Sequence, residues 1–330
     1  MHIAIALPAL SGAAKLTIIG NCTATRCIIS GGGAFPIFTS PSSGPTGGEL
    51  TLVNLNFQRA AGGVLFNVWA AINASQCGFV GSTAPSVGGG VLSDSFPESA
   101  TAPNRFFSYC TFYNNTAPTG GGGAISINVG NPEGSINVGN PESSGPNVTF
   151  VYCIFQNNTA TLAKGGAVSI NLGDPQGSAA NVTFVHCRFR NNSAYQASGG
   201  AITVAGTGDI RCTKCSFEGN FAGLHGGGIY SDGASLTLSQ PTFKRNRAVG
   251  PFNARCGLGG AVFAIPGRRI QVSLRFCKAF FLLNRGCIRK VADLALAVPS
   301  RDSEFSGTLM FCGGVKTLGS IFLPPHSTCA

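Results

Sequence analysis

Few residues in this chain have types and spacings that do chemistry. Across 330 positions there are 12 Asp plus Glu and 4 His, whereas cysteine occurs 13 times and phenylalanine 24 times. Hydrolysis of an acidic polysaccharide needs paired carboxylates, and a calcium-assisted lyase needs Asp/Glu ligands with a basic residue to take the proton. Asp209, Glu218 and Asp232, with Arg211, Lys214 or His225, are the set that could converge on such chemistry, yet they belong to different strands or loops. His225, in Leu-His-Gly-Gly, reads as a solvated corner residue rather than a base. Metal chemistry has less support. The only CxxC is Cys212-Thr-Lys-Cys215, and no second CxxC or HxxxH stands at zinc spacing. Glycine runs such as Gly121-Gly-Gly-Ala124 lack the GK[ST] ending of a phosphate loop and lead into a strand pattern. No catalytic, cofactor or metal residue is therefore assigned.

The elements that hold these residues are written in an internal repeat. Four segments align: Cys110-Thr-Phe112-Tyr-Asn-Asn115-Thr-Ala117, Cys153-Ile-Phe155-Gln-Asn-Asn158-Thr-Ala160, Cys187-Arg-Phe189-Arg-Asn-Asn192-Ser-Ala194 and Cys215-Ser-Phe217-Glu-Gly-Asn220-Phe-Ala222. Each leads to a glycine cluster: Gly121–Ile125, Gly165–Val168, Gly199–Ile202 and Gly226–Ile229. Weaker copies start at Phe57, Cys77 and Phe243. Cys153 to Cys187 is 34 residues and Cys110 to Cys153 is 43; the excess of 9 is a tandem copy, Ser126–Glu133 and Ser135–Glu142, each reading Ser-Ile-Asn-Val-Gly-Asn-Pro-Glu. A unit that absorbs length there has a loop there, so Ser126–Pro146 is expected to be loop.

Within a unit, Val148-Thr-Phe-Val-Tyr alternates with period two, which is the pattern of a half-buried strand. The three-residue steps from Phe150 to Cys153 and from Phe155 to Asn158 reset which side chains face inward. Each such step marks a bend, and Asn or Gly tolerates the left-handed backbone that bends demand. Short strands separated by bends, recurring every ~30 residues, describe a solenoid of stacked rungs. Like residues then stack, and stacked like charges repel. This accounts for a charged content of only 10% with 47 glycines. The fold expected is all-β, a single-stranded right-handed parallel β-helix over residues 1–265 with about eight or nine rungs, followed by an irregular basic segment over 266–330.

The paired GGA-[I/V/L] and FxxN motifs, running from about Phe57 to Val262, resemble the repeats of the chlamydial polymorphic outer-membrane proteins and related right-handed β-helix proteins of pectin-lyase-like fold. The resemblance covers roughly three-quarters of the chain and is specific for fold. It implies an extracellular or cell-surface protein, adhesin-like or structural, with surface glycans or other surface proteins as partners. The alternative is a polysaccharide lyase or hydrolase on the same fold. A C-terminal barrel translocator is not recognised, so self-export is not expected.

The cysteine positions Cys110, Cys153, Cys187 and Cys215 are read as a column of buried free thiols, because in-register stacking points their Cβ vectors alike rather than toward each other. Cys22–Cys27 and Cys212–Cys215 are the candidates for local bridges. Asn115, Asn158, Asn192 and Asn220 are read as a ladder that satisfies corner backbone groups rather than as a sugar-binding face. Asn-x-Ser/Thr sequons stand at Asn21, Asn73, Asn114, Asn147, Asn157, Asn181 and Asn191, and with the cysteines they favour a secretory route.

Charge is uneven: residues 1–160 are net −1 and residues 161–330 net +11. After Gln240, 13 Lys/Arg face only Asp293, Asp302 and Glu304. No arginine-rich run with interleaved aromatics occurs, so nucleic acid is not an expected partner. The apolar start, Met1–Ala14, lacks a basic leader region and is broken by Pro8, which reads as a first strand of a chain that begins further upstream, against a signal peptide. No run approaches the length of a transmembrane helix. Phe280–Val298 is read as helix-like and packed over the solenoid end or else poorly ordered, with disorder expected beyond Val298.

Overall fold

A single turn of the chain shows how the pattern becomes structure. Asn147–Val151 is a strand in which Val148 and Phe150 are buried and Thr149 faces outward. Tyr152 then takes a φ of 54° and turns the chain, so that Cys153 and, on the strand Ile154–Gln156, Phe155 again face inward. Asn157, at φ 57°, makes a second turn and brings Asn158 and Ala160 inside. A glycine-rich turn follows, then the strand Val168–Asn171, and the next rung opens at Ala180–Val185. Both bends fall at the three-residue steps read from the sequence.

The computed structural model describes residues 15–22, 26–39, 48–66, 68, 70–84, 88–96, 103–129, 147–171, 180–206, 208–250 and 259–265, and further strands at 272–277, 280–282, 292–296, 307–312, 316–317 and 320–322. Its strands form three ten-stranded sheets and one five-stranded sheet, each ordered as successive rungs. The neighbouring pairs are parallel and run in register, as in Val148↔Val182↔Ile210↔Leu236, except where Ala292–Leu296 meets Ser320–Phe322 with a shift between Ala292 and Leu294. The protein is a parallel β-helix.

Register puts like on like. Phe57, Phe79, Phe112, Phe155, Phe189, Phe217 and Phe243 form one inner column with ring centroids 4.5–5.3 Å apart and planes within 13°. Phe107, Phe150 and Phe184 form a second stack at 5.2 and 5.0 Å and meet the first edge-on, at interplanar angles of 68–77°. Offset stacks and edge-to-face pairs suit the ring quadrupole, so the core gains from ring geometry as well as from burial. The glycine clusters are equally constrained. A Cβ on Gly166 would strike the carbonyl oxygen of Gly200, and one on Gly200 that of Gly227, because the rungs approach backbone to backbone there.

Three expectations are revised. The first copy of the duplicated octapeptide is not all loop: Ser126–Val129 belongs to the strand Ile125–Val129, paired with Val168–Asn171, since its Ile-Ser-Ile-Asn alternation fits the third sheet. Residues 130–146, with the second copy, lie outside the described residues. Phe280–Val298 is not helix-like in its described part, which holds the strands Phe280–Leu282 and Ala292–Leu296. These pair onto Thr242–Lys244 and Val262–Ile265, because an unpaired rung edge is a template for the next β segment. Beyond Val298, a stretch the sequence reads as disordered, Gly307–Cys312 pairs with Val272–Cys277 in backbone register. Met1–Ala14 lies outside the described residues.

The stacked rings give a direct test. Phe155→Ala or Phe189→Ala removes a fully buried ring with neighbours on both faces, and we expect a loss of about 3–5 kcal/mol. Equilibrium denaturation measures it; an unfolding midpoint equal to wild type contradicts the stacked core.

Candidate functional site

Inside the solenoid, two columns handle the corners, where strand pairing lapses. In the first, each cysteine thiol hydrogen is shared between a carbonyl of the previous rung and one two residues back. Cys153 Sγ donates to Phe107 O at 3.4 Å and Val151 O at 3.5 Å; Cys187 does so to Phe150 and Val185, and Cys215 to Phe184 and Thr213. Cys77, Cys110, Cys153, Cys187, Cys212 and Cys215 are all buried free thiols. Cys22–Cys27 is a disulfide, whereas Cys212–Cys215, the other bridge candidate, is not. Cys212 instead occupies the inner position between Phe184 and Leu238, and Cys215 stands in the thiol column.

In the second column the side chains of Asn115, Asn158, Asn192, Asn220 and Asn246 form a continuous ladder, and each is fully buried. Asn158 Oδ1 accepts from the backbone N–H of Asn115 at 3.1 Å and from its Nδ2 at 3.0 Å. Asn158 Nδ2 donates to Phe112 O and to Asn192 Oδ1, both at 3.0 Å. All four hydrogen-bonding valences of the amide are therefore used inside the protein. These residues are committed to structure and present nothing to a ligand.

The structure does not bring the carboxylate candidates together. Asp209 is on the first sheet beside Arg211, at 3.3 Å. Glu218 is on the second sheet, between Lys244 at 3.7 Å and Arg190 at 4.0 Å. Asp232 is on the third sheet, where the Tyr230 hydroxyl donates to it at 3.4 Å, and burial pushes that hydroxyl up to about 12. Lys214 stands at a corner with φ 52°. His225 is not at a solvated corner: it is half-buried in a glycine turn with its ring 5.0 Å from Phe263, and burial lowers its pKa. Among the described residues no group of three or more His, Cys, Asp or Glu is placed to hold a metal ion.

An ion pair inside the solenoid escaped the sequence reading. Arg105 occupies the inner position filled by Ile72 below and Val148 above. Its Nε donates to Asp94 Oδ2 at 2.9 Å, and its Nη1 and Nη2 donate to Ala70 O and Val68 O, each at 2.7 Å. Burial raises the Asp94 carboxyl pKa and Arg105 opposes that shift. The guanidinium thus ties the link between two rungs to the next strand. The sequence signal was present: Arg105-Phe-Phe-Ser-Tyr-Cys110 aligns with Val148-Thr-Phe-Val-Tyr-Cys153.

The outer surface carries the groups available to a partner. The sequon asparagines Asn21, Asn73, Asn114, Asn147, Asn181 and Asn191 are exposed, and Asn157 is half-buried. Along the first corner, Asn54, Gln76, Tyr109, Tyr152, His186, Lys214 and Gln240 stand one per rung, all with φ of 52–55°. Tyr109, Tyr152 and His186 stack at 5.0 and 4.8 Å. A groove of about 430 Å³ runs beside this stripe, lined by Arg26, Asn54, Gln76, Tyr109, Thr111 and Tyr152 among others.

The thiol column carries a pH signature. Burial, then the hydrogen bond with Cys153, pushes the Cys110 thiol from 9.0 up to about 12, and burial likewise raises Cys187. Above pH 9 the unfolded chain loses these protons while the folded chain keeps them, so stability falls as pH rises from 9 toward 12. We expect wild type to lose stability relative to a Cys110→Ser/Cys187→Ser variant by about 1.4 kcal/mol per thiol per pH unit across that window. Denaturation midpoints of the two proteins from pH 8 to 11 check this; parallel curves contradict it.

Residues 109–128 and 214–232 match the Chlamydia polymorphic membrane protein (Chlamydia_PMP) repeat. No curated protein and no solved structure matches the chain. The two matched segments each run from a first-corner residue, Tyr109 or Lys214, through Cys, Phe and Asn of the inner columns to a third-sheet strand. Each is therefore most of one rung, and the chain carries Chlamydia polymorphic membrane protein-type repeats on a parallel β-helix.

Proposed function

We propose that this chain is a non-catalytic β-helix that works outside the cell or at its surface as an adhesin-like or structural element. The observation that carries the reading is the pair of polymorphic membrane protein repeats at 109–128 and 214–232. The distribution of side chains supports it: the interior is filled by Phe, Cys, Asn and Ala columns, and the carboxylates suited to catalysis sit on three different sheets, Asp209 and Glu218 beside basic side chains and Asp232 beside a tyrosine hydroxyl. Among the described residues no helix is long and apolar enough to cross a membrane, which leaves strand-based crossing untouched. Surface glycans or surface proteins are the partners that fit, and the exposed sequon asparagines fit a glycosylated exterior.

Antibody labelling of intact source cells, together with adhesion of beads coated with the purified chain, tests the reading. We expect labelling without permeabilisation and bead adhesion above an albumin control. Labelling only after permeabilisation overturns it, as does polysaccharide cleavage abolished by Asp209→Asn or Asp232→Asn.

A further inference from the structure

The first-corner stripe spends conformational energy that the second corner mostly avoids. At the second corner the left-handed positions are Gly81, Asn114, Asn157, Asn191 and Gly219, types that accept positive φ readily, with Arg59 and Arg245 as exceptions. At the first corner the same backbone is imposed on Gln76, Tyr109, Tyr152, His186, Lys214 and Gln240. For bulky residues this conformation is an outlier, costing about 1–2 kcal/mol each. Strain retained at a surface position points to a use for the side chain.

The groove beside the stripe has the parts for one class of ligand. Tyr109 is 56% exposed; one ring face lies against Tyr152, and on its other side the neighbouring rung carries Gln76 rather than a ring. The exposed part of the Tyr109 ring, in the lining of the groove, is an apolar contact surface for a ring. Asn54, Gln76 and Thr111 supply amide and hydroxyl groups around it. Arg26 is the one charged residue in the lining, and no carboxylate lines the groove among the described residues. The Cys22–Cys27 disulfide spans Arg26 and tethers it to the second sheet. A sugar ring presents a flat apolar face with hydroxyls at its edge, and a guanidinium binds a carboxylate in a planar, paired geometry.

The geometry points to this groove as a binding site for an acidic oligosaccharide, with a pyranose ring on Tyr109, hydroxyls on Asn54 and Gln76, and a uronate or sialate carboxylate on Arg26. The inference rests on the surface-binding reading and names the ligand class for it. A second use of the same face, docking of a protein, is an outcome of the test.

The test is an array of acidic oligosaccharides (oligogalacturonate, glucuronate-containing and sialylated) with carboxyl-reduced counterparts, probed with wild type, Arg26→Gln, Tyr109→Ala and the remote Gln240→Ala. Melting temperatures of all four verify folding, and bead adhesion is run in parallel. Wild type is expected to bind at least one acidic probe in preference to its reduced counterpart. Arg26→Gln is expected to weaken that binding about tenfold or more and to remove the preference, Tyr109→Ala to weaken it similarly, and Gln240→Ala to leave it unchanged. Binding to no acidic probe overturns the proposal, as does binding that folded Arg26→Gln and Tyr109→Ala proteins retain. Adhesion that persists with no array binding, the outcome for protein docking, overturns the groove inference alone. Array binding without adhesion overturns the adhesin-like reading and leaves the groove standing.

Discussion

The asparagine ladder is the interaction on which the rest of the molecule depends. At the second corner the chain turns too sharply for strand pairing to satisfy every backbone group, and the corner is buried. An unpaired N–H there costs about 1–3 kcal/mol. The side chain of the next rung's asparagine supplies the acceptor: Ser82 N donates to Asn115 Oδ1, and Asn115, Asn158, Asn192 and Asn220 each donate their N–H to the asparagine above. The same amides return donors to Phe79, Phe112, Phe155, Phe189 and Phe217 carbonyls one rung below. Aspartate lacks those donors, and leucine lacks both donors and acceptor. Each asparagine thus fixes the height and register of its neighbours, and the phenylalanine stacks and glycine contacts follow from that register.

A frame held from within leaves its outer side chains free of structural duty. Outward positions vary from rung to rung, as in Tyr113, Gln156, Arg190, Glu218 and Lys244 on the second sheet, while the inward neighbours remain Phe112, Phe155, Phe189, Phe217 and Phe243. Binding surfaces on such a solenoid can change one rung at a time without repacking the core. The groove by Tyr109 lies where corner residues of one type give way to another, from Asn54 and Gln76 to Tyr109 and Tyr152.

The fold was legible because stacking repeats the same physical demand at every rung. Period-two alternation, the three-residue steps and the GGA and FxxN motifs each report a local constraint, and all point to one architecture. What escaped the reading was whatever departs from the repeat. Arg105 and Asp94 bury a charge pair where the rungs on either side of Arg105 carry Ile72 and Val148 and the rung next to Asp94 carries Ile127. Cys212 and Cys215 satisfy the spacing for a bridge, but they belong to different inner columns. After Ile265 the motifs survive only faintly, as in Phe281-Leu-Leu-Asn284, and the strands there are recruited by the preceding rungs' open edges, Phe281 pairing with Phe243. The groove combines Arg26 with residues up to 128 positions away, Tyr152 and Ile154 among them, and only the rung stacking makes them neighbours.

Native-state hydrogen exchange by NMR, read at the backbone amides of Asn115, Asn158, Asn192 and Asn220, tests the ladder most directly. Their acceptors are side-chain oxygens, so protection at these amides reports the ladder and not strand pairing. The account predicts that they exchange only through global unfolding, with the same free energy and denaturant dependence as the core strand amides beside Phe155. Exchange at the rates of exposed turns, while those strand amides stay protected, would contradict it.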